Sequence, residues 1–114
     1  MVLALLPGCS PRSEYVVGIG QFGPHASLDN CREGFIAGLA EEGIVEGENL
    51  TIDYQDANFD GGTSNLIASA FVSSKVDLIC GIATPMAQAA YNAAEGKIPV
   101  IFYRCYRPGN GRYY

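Results

Sequence analysis

Apolar and polar positions recur along the chain with two different periods. Short apolar runs bounded by glycine, proline or polar residues are typical of strands that are covered on both faces. Stretches with apolar residues three or four positions apart are typical of helices with one buried face. The predicted strands are 15–20, 76–83 and 98–103, together with 49–55, where apolar and polar residues alternate. The predicted helices are 28–42, 63–75 and 84–96.

Strands and helices therefore alternate along the whole chain, with short connections between them. This order predicts an α/β fold, a Rossmann-like three-layer β-α-β-α-β-α-β unit with a parallel sheet and right-handed crossovers. The residues expected to face the sheet are Leu28, Cys31, Phe35 and Leu39 in the first helix and Leu66, Ala70 and Phe71 in the second.

Composition narrows the class of protein. A length of 114 residues suits one domain or one lobe of a larger protein, and 48% hydrophobic residues suffice for a packed core. Seven basic against twelve acidic residues give a net charge of −5, which argues against a nucleic-acid partner. No apolar stretch approaches the roughly 20 residues that span a bilayer.

The cysteine pattern gives no support for a metal site. The chain has four cysteines, with no C-x-x-C or C-x-x-H pair among them. We interpret Cys31 and Cys80 as small buried or half-buried side chains, because they fall within a helix pattern and a strand pattern. We expect no metal and no cofactor.

The N-terminal sequence "VLALLPGCS" has an apolar run followed by Gly8, Cys9 and Ser10. It resembles the end of a bacterial lipoprotein signal peptide, in which the cysteine becomes the lipid-carrying N-terminus. The alternative is a chance cysteine in a ragged N-terminus. On the first interpretation, residues 1–9 are a signal-peptide remnant with lipidation at Cys9, and residues 10–14 are a linker.

Three glycines, Gly18, Gly20 and Gly23, have the G-x-G-x-x-G spacing of a dinucleotide-binding turn. In that motif the third glycine lies in the first turn of the helix, and an acidic residue about 20 positions on ends the second strand. Here Pro24 follows the third glycine directly, and Glu41 and Glu42 fall on the outer face of a helix. The context argues against a nucleotide cofactor, and with it against an α/β enzyme.

The loops that follow the strands are the expected site of ligand binding, because ligands of open α/β sheets bind at the carboxyl ends of the strands. These loops are 21–27, 55–63 and 84–88. Ser27 and Thr84 suit helix N-caps, where free N–H groups attract carboxylates and phosphates. For Thr84 and Pro85, plain capping is the favoured explanation on local grounds. His25, the single histidine, has no paired nucleophile, so we predict no catalytic residue.

Several motifs together resemble the substrate-binding proteins of a bacterial ABC-transporter family, whose members include binders of tryptophan and other aromatic amino acids. They are IGQ at 19–21, HASLD at 25–29, GIVEG at 43–47, DYQDA at 53–57, KVDLI at 75–79 and ATPMAQA at 83–89. The resemblance runs from Val16 to Phe102. It implies the type I periplasmic binding protein fold, with residues 15–102 as the N-terminal one of two lobes that close on a ligand.

The resemblance also implies a function and a set of ligand-binding residues. The protein would be the extracytoplasmic solute-binding component of an ABC importer, lipid-anchored in the periplasm or at the cell surface, with a transporter permease as partner. Its ligand would be a small organic molecule, with an amino acid, and among these an aromatic one, as the best guess. The implied ligand-binding residues are Gln21, Phe22, His25, Ser27, Thr84, Pro85 and Gln88.

The last residues, 103–114, change character. The codons for "YRCYRPGNGRY", read one base later, can spell "TAVTDPVTAGI", which is what the resemblance predicts after "PVIF". We therefore hypothesise a frameshift just after Phe102, which would make residues 103–114 an out-of-frame tail.

One other function fits the same fold. A ligand-sensing domain of a signalling protein would have the same lobe, and a transmembrane helix with a signalling domain downstream would favour it.

Overall fold

The computed structural model describes residues 14–103 and has the predicted order of elements. The signal-peptide remnant with Cys9, residues 10–13 of the predicted linker and residues 104–114 of the tail lie outside the described residues. The strands are β1 (Tyr15–Gln21), β2 (Leu50–Asp56), β3 (Leu78–Ile82) and β4 (Val100–Tyr103), and the helices are α1 (Ala26–Glu41), α2 (Gly61–Ser73) and α3 (Thr84–Ala94).

The four strands form one parallel sheet in the order β2-β1-β3-β4. Gln21, the last residue of β1, pairs with Asp56 on one side and with Ile82 on the other. The chain moves outward from β1 to β2 and then returns across β1 to form β3. This reversal places the topological switch point between β1 and β3, where open α/β sheets bind their ligands. The predicted α/β fold class is confirmed.

The sheet is covered on both faces, as its apolar strands predict. Helix α1 packs on one face and forms the α1 cluster, whose buried members are Val17, Ile19, Phe35, Leu50, Cys80 and Ile82. Helices α2 and α3 pack on the other face and form the α2–α3 cluster, whose buried members are Ala57, Ile67, Ala68, Phe71, Val76, Ile79, Met86, Ala89 and Ala90. Leu28, Cys31 and Leu39 are partly buried against the α1 cluster, as predicted.

Glycines in the strands let α2 and α3 approach the sheet closely. A Cβ atom on Gly18 would lie 2.7 Å from the Phe71 ring, and one on Gly20 would lie 2.8 Å from Met86 Cε. A Cβ atom on Gly81 would lie 2.7 Å from Ala87 Cα. The first two glycines of the G-x-G-x-x-G spacing therefore have a packing function in the sheet.

The prediction for the inner face of α2 was partly wrong. Phe71 is buried, but Leu66 is 71% exposed and Ala70 is exposed as well. The buried stripe runs instead through Ser64, Ile67, Ala68 and Phe71. Leu66 and Ala70 lie four residues apart on a neighbouring stripe, which the helix turns towards solvent when Phe71 packs over Gly18.

Helices α1 and α3 also start differently from the prediction. The N-cap of α1 is His25, whose Nδ1 accepts a hydrogen bond from the Ser27 backbone N–H at 3.1 Å, so Ser27 is not the cap. Thr84 is the first residue of α3, and its N-cap is Ala83. A histidine or alanine cap carries little sequence signal, because these positions favour serine, threonine, aspartate and asparagine.

Replacing Gly81 with alanine tests the close approach of α3. The added Cβ would collide with the backbone of Ala87, which no rotamer change can relieve, so α3 must shift. We expect Gly81→Ala to lower the free energy of unfolding by about 1–3 kcal/mol, measured by urea denaturation with circular dichroism.

Gly38→Ala is the matched control for this measurement. Gly38 lies within α1 with no atom within 4 Å of its added Cβ, so the substitution should stabilise the helix by about 0.5–1 kcal/mol. Equal stabilities for Gly81→Ala and the wild-type chain would show that the α3–sheet contact is not tight.

Candidate functional site

The loops after β1, β2 and β3 are joined at the carboxyl edge of the sheet. The Phe22 N–H donates to the Ile82 carbonyl at 3.2 Å, which connects the β1–α1 loop to the end of β3. The Ala57 N–H donates to the Gln21 carbonyl at 2.9 Å, and the Phe59 N–H donates to the Phe22 carbonyl at 2.7 Å. The prediction that these three loops share one edge is confirmed, and Phe22 lies at their centre.

Gln21 is fully buried, with 0% of its surface exposed, and its side chain is hydrogen-bonded within the protein. Its Nε2 donates to the Gly23 carbonyl and to Asp29 Oδ1, both at 2.8 Å. Its Oε1 accepts a hydrogen bond from Arg32 Nη1 at 2.6 Å. The side chain therefore holds the β1–α1 loop and the first turns of α1 against the end of β1.

Arg32 extends this arrangement to β2. Its Nη1 lies 3.2 Å from Asp29 Oδ1, and its guanidinium lies 4.3 Å from the centroid of the Tyr54 ring. The Tyr54 hydroxyl donates to Asp56 Oδ2 at 3.2 Å. We call Gln21, Asp29, Arg32 and Tyr54 the α1 polar network. A guanidinium engaged in this way is already partnered by an amide, a carboxylate and an aromatic ring.

The network changes the ionisation of two of its members. The hydrogen bond from Gln21 is the largest influence on the pKa of Asp29 and lowers it; burial opposes this shift, and the nearby Arg32 charge lowers the pKa further. Burial raises the pKa of Tyr54, although Arg32 opposes this shift. Near neutral pH the network therefore consists of a carboxylate, a guanidinium and a neutral phenol.

The helix N-termini at this edge differ in how they are capped. His25 caps α1, and Asp60 caps α2 by accepting from the Thr63 N–H at 2.7 Å and the Thr63 hydroxyl at 2.8 Å, which lowers the Asp60 pKa. The N-cap of α3, Ala83, makes no side-chain hydrogen bond. Among the three described helices, α3 alone begins without a side-chain cap, so its first-turn N–H groups face a position that suits an anion.

Ala83 has a backbone conformation that side-chain-bearing residues avoid. Its φ of 81° and ψ of 150° turn the chain sharply between β3 and α3. Such a conformation costs about 1–3 kcal/mol, and it persists only where the surrounding structure imposes it. The turn allows Thr84 to begin α3 directly beside the switch point.

Two phenylalanines form an aromatic pair at the same edge. The rings of Phe22 and Phe59 meet edge to face, with centroids 5.7 Å apart and an interplanar angle of 84°. Phe22 is partly buried against the α2–α3 cluster, whereas 52% of Phe59 is exposed. The sequence prediction missed Phe59, although an aromatic residue within the polar loop 55–63 was a usable signal.

The remaining predicted site residues lie at the starts of α1 and α3 and further along α3. His25, Ser27, Thr84 and Pro85 are exposed, at the starts of α1 and α3. Gln88 lies one turn further along α3, where it lines an apolar groove of about 200 Å³ between α3 and β4. The other residues of that groove are Ala87, Tyr91, Val100 and Phe102. The structure thus brings Phe22 to the joined loops, and it places Gln88 beside a separate groove.

Cys80 lies in the middle of β3, within the α1 cluster, as a free and buried thiol. Burial raises its pKa to about 12, so the thiol stays protonated at neutral pH. Residues 14–103 bring together no group of three or more histidine, cysteine, aspartate or glutamate side chains that could hold a metal ion. No helix in this range has the length and apolar content needed to cross a membrane.

Replacing Gln21 tests the α1 polar network. Gln21→Leu removes the largest influence that lowers the Asp29 pKa, so we expect that pKa to rise towards its ordinary value of about 3.8. The Gly23 carbonyl loses its partner, and the free energy of unfolding should fall by about 1–3 kcal/mol at neutral pH. NMR titration of the Asp29 carboxyl group and urea denaturation measure the two effects.

The lowered Asp29 pKa also predicts how the stability difference between the two chains changes with pH. A lowered carboxyl pKa stabilises the fold above pH 3.8, and this stabilisation is lost as the pH falls through the lowered value. The stability difference between the wild-type chain and Gln21→Leu should therefore narrow in acid. Gln55→Leu is the control, because Gln55 is exposed and its side chain donates only to Asp53 among the described contacts. An unchanged Asp29 pKa in Gln21→Leu would contradict this account.

Known proteins contain regions similar to this chain. A tyrosine-binding protein from Clostridioides difficile (strain R20291) is 51% identical over 85 residues, which cover 75% of this chain and 24% of that protein. The ligand-free, open structure of a substrate-binding protein with adhesive properties from Clostridium difficile matches with a TM-score of 0.74 and 45% identity, covering 77% of this chain and 30% of that one. An ABC domain in complex with L-Trp from Streptococcus pneumoniae matches with a TM-score of 0.74 and 36% identity, covering 79% and 30%.

These matches confirm the expected periplasmic binding protein fold. The chain spans about a quarter of the length of the curated relative and 30% of the two matched structures. A family model, described as ABC transporter substrate binding protein, matches residues 16–107. Because this match covers most of the sequence, the chain belongs to the ABC transporter substrate-binding protein family.

Proposed function

We propose that the carboxyl edge of this lobe forms one half of a binding site for an aromatic amino acid. A second lobe would close over the same ligand, and the closed protein would deliver it to an ABC importer. The observation that carries the proposal is the uncapped N-terminus of α3 next to an aromatic pair. The hydrogen bond from Phe22 to Ile82, two residues before Thr84, supports placing the two features side by side.

The α3 terminus supplies the polar half of the proposed site. The N–H groups of its first turn and the Thr84 hydroxyl would donate to the ligand carboxylate, aided by the positive end of the helix dipole. Pro85 suits this position, since it has no N–H to leave unsatisfied and its φ favours the helix start. Arg32 is held by the α1 polar network, so the helix terminus is the better candidate for the carboxylate.

The aromatic pair supplies the apolar half. Phe22 and Phe59 present ring edges and faces against which another aromatic ring can pack. Support also comes from the relatives, of which one is called a tyrosine-binding protein and another was solved with L-Trp. These names concern those proteins, and tyrosine, tryptophan and phenylalanine are the first ligands to test here.

The other residues predicted from the sequence differ in how directly they would contact the ligand. His25 and Ser27, at the exposed start of α1, would form the rim of the site. Gln21 would act through position, because its side chain fixes the β1–α1 loop that carries Phe22. Gln88, one turn beyond Thr84, would contact only a ligand or a second lobe that extends over α3.

The cellular setting follows from the family and stays a proposal. Substrate-binding proteins of ABC importers work outside the cytoplasm and dock on a transporter permease. A lipid anchor at Cys9 would hold the protein at the membrane, and intact-mass analysis of the protein purified from a membrane fraction would test it. A mass without the lipid would contradict the anchor and leave the ligand site unaffected.

Amide chemical shifts of the ¹⁵N-labelled chain test the site directly. On titration with L-tryptophan or L-tyrosine at up to millimolar concentration, we expect shifts in residues 22–27, 57–60 and 83–88. The opposite edge, formed by loops 43–49 and 95–99, is the internal control and should not shift. Shifts confined to the opposite edge, or no shifts at all, would contradict the proposal.

Thr84→Val tests the carboxylate contact. Loss of a hydrogen bond to a charged group should weaken L-tryptophan binding by about tenfold, measured by the same titration. Thr51→Val, on the exposed surface of β2, is the matched control and should bind normally. Tryptamine, which lacks the carboxylate, should bind Thr84→Val and the wild-type chain equally weakly. A further loss for tryptamine in Thr84→Val would place the carboxylate elsewhere.

A further inference from the structure

The β2–α2 loop holds an aromatic residue in a backbone conformation that aromatic residues avoid. Phe59 has a φ of 62°, and the preceding Asn58 has a φ of 55°. Both lie in the left-handed region, which is unfavourable for residues with side chains and suits glycine. The Asn58 N–H donates to Asp56 Oδ1 at 2.7 Å, and the Phe59 N–H donates to the Phe22 carbonyl at 2.7 Å. Hydrogen bonds therefore hold the strained turn in place.

The phenyl ring of Phe59 lies against two residues of the β1–α1 loop. A Cβ atom on Gly23 would collide with Phe59 Cε1, so the ring covers Gly23 at a distance that only glycine permits. The edge-to-face contact with the Phe22 ring, with centroids 5.7 Å apart, fixes the orientation of the Phe59 ring. The third glycine of the G-x-G-x-x-G spacing thus allows the Phe59 ring to pack directly over the backbone.

The ring is fixed and yet half exposed. A phenylalanine whose only function is packing would be buried, whereas 52% of Phe59 is exposed at the carboxyl edge of the sheet. An immobilised apolar surface loses little conformational entropy when a ligand packs on it. Strain, close seating and exposure together describe a preformed contact surface beside the joined loops.

We propose that Phe59 is the specificity-determining residue of this lobe, selecting ligands with an aromatic side chain over aliphatic ones. Gly23 and Phe22 are positioning residues that set the plane of its ring. This inference rests on the proposed function, because it assumes that the amino acid binds at this edge. It adds which residue discriminates and why the β2–α2 loop accepts an unfavourable conformation.

The experiment compares L-tryptophan, L-tyrosine and L-leucine on the 114-residue chain and its variants by NMR titration. Phe59→Leu keeps apolar bulk and removes the ring. It should weaken binding of the two aromatic ligands by about 3- to 10-fold and leave L-leucine within about twofold of wild type. Tyr91→Leu is the matched control, because Tyr91 is 71% exposed on α3 beside a different groove, and it should change none of the three affinities.

Phe59→Gly separates specificity from folding. Glycine accepts a φ of 62° without strain, so this variant should keep the urea midpoint of the wild-type chain while it loses aromatic preference. Gly23→Ala should displace the ring and lower the preference in the wild-type background. In the Phe59→Gly background the same alanine should have no further effect on ligand preference, because the ring it would displace is absent.

The outcomes distinguish the two proposals. Unchanged aromatic-to-leucine ratios in Phe59→Leu and Phe59→Gly would overturn the role of Phe59 and leave the binding site standing. Equal binding of leucine and tryptophan by the wild-type chain would overturn the role in the same way. Absence of binding by any of the three amino acids would overturn both the function and this inference.

Discussion

The close packing of α2 and α3 on the sheet is the constraint on which the rest of the lobe depends. It requires strand positions without side chains, which Gly18, Gly20 and Gly81 provide. Because Ala87 lies so near Gly81, the start of α3 is held at the end of β3, where Ala83 makes its strained turn. The same face buries part of Phe22. A tightly packed helix layer thus fixes both the uncapped helix start and the base of the aromatic pair.

The opposite face of the sheet solves a different problem with polar groups. Gln21 ends the apolar row of Val17 and Ile19 on β1, and a buried amide in that place must find partners. Asp29 and Arg32 supply them, and Arg32 also covers Tyr54 on the edge strand. One face therefore positions the site by steric fit, and the other by satisfied hydrogen bonds and charge.

Sequence reasoning recovered the order of the elements because their periods differ clearly, and it placed the three loops at one edge because parallel strands end together. It failed where a single side chain or torsion decides the structure. The exposure of Leu66 follows from the packing of Phe71 over Gly18, and the cap of α1 is one hydrogen bond between the Ser27 N–H and the His25 side chain. The importance of Phe59 depends on a φ of 62°, which no apolar or polar pattern encodes.

Burial protects the Cys80 thiol from oxidation only after the sheet has formed. In the unfolded chain this cysteine has an ordinary pKa and is open to oxidation, whereas in the folded sheet it is shielded and protonated. In an oxidising compartment, where disulfides form, a chain that pairs Cys80 before β3 enters the sheet could not complete its core. In such a compartment, β3 would have to enter the sheet faster than the Cys80 thiol is oxidised.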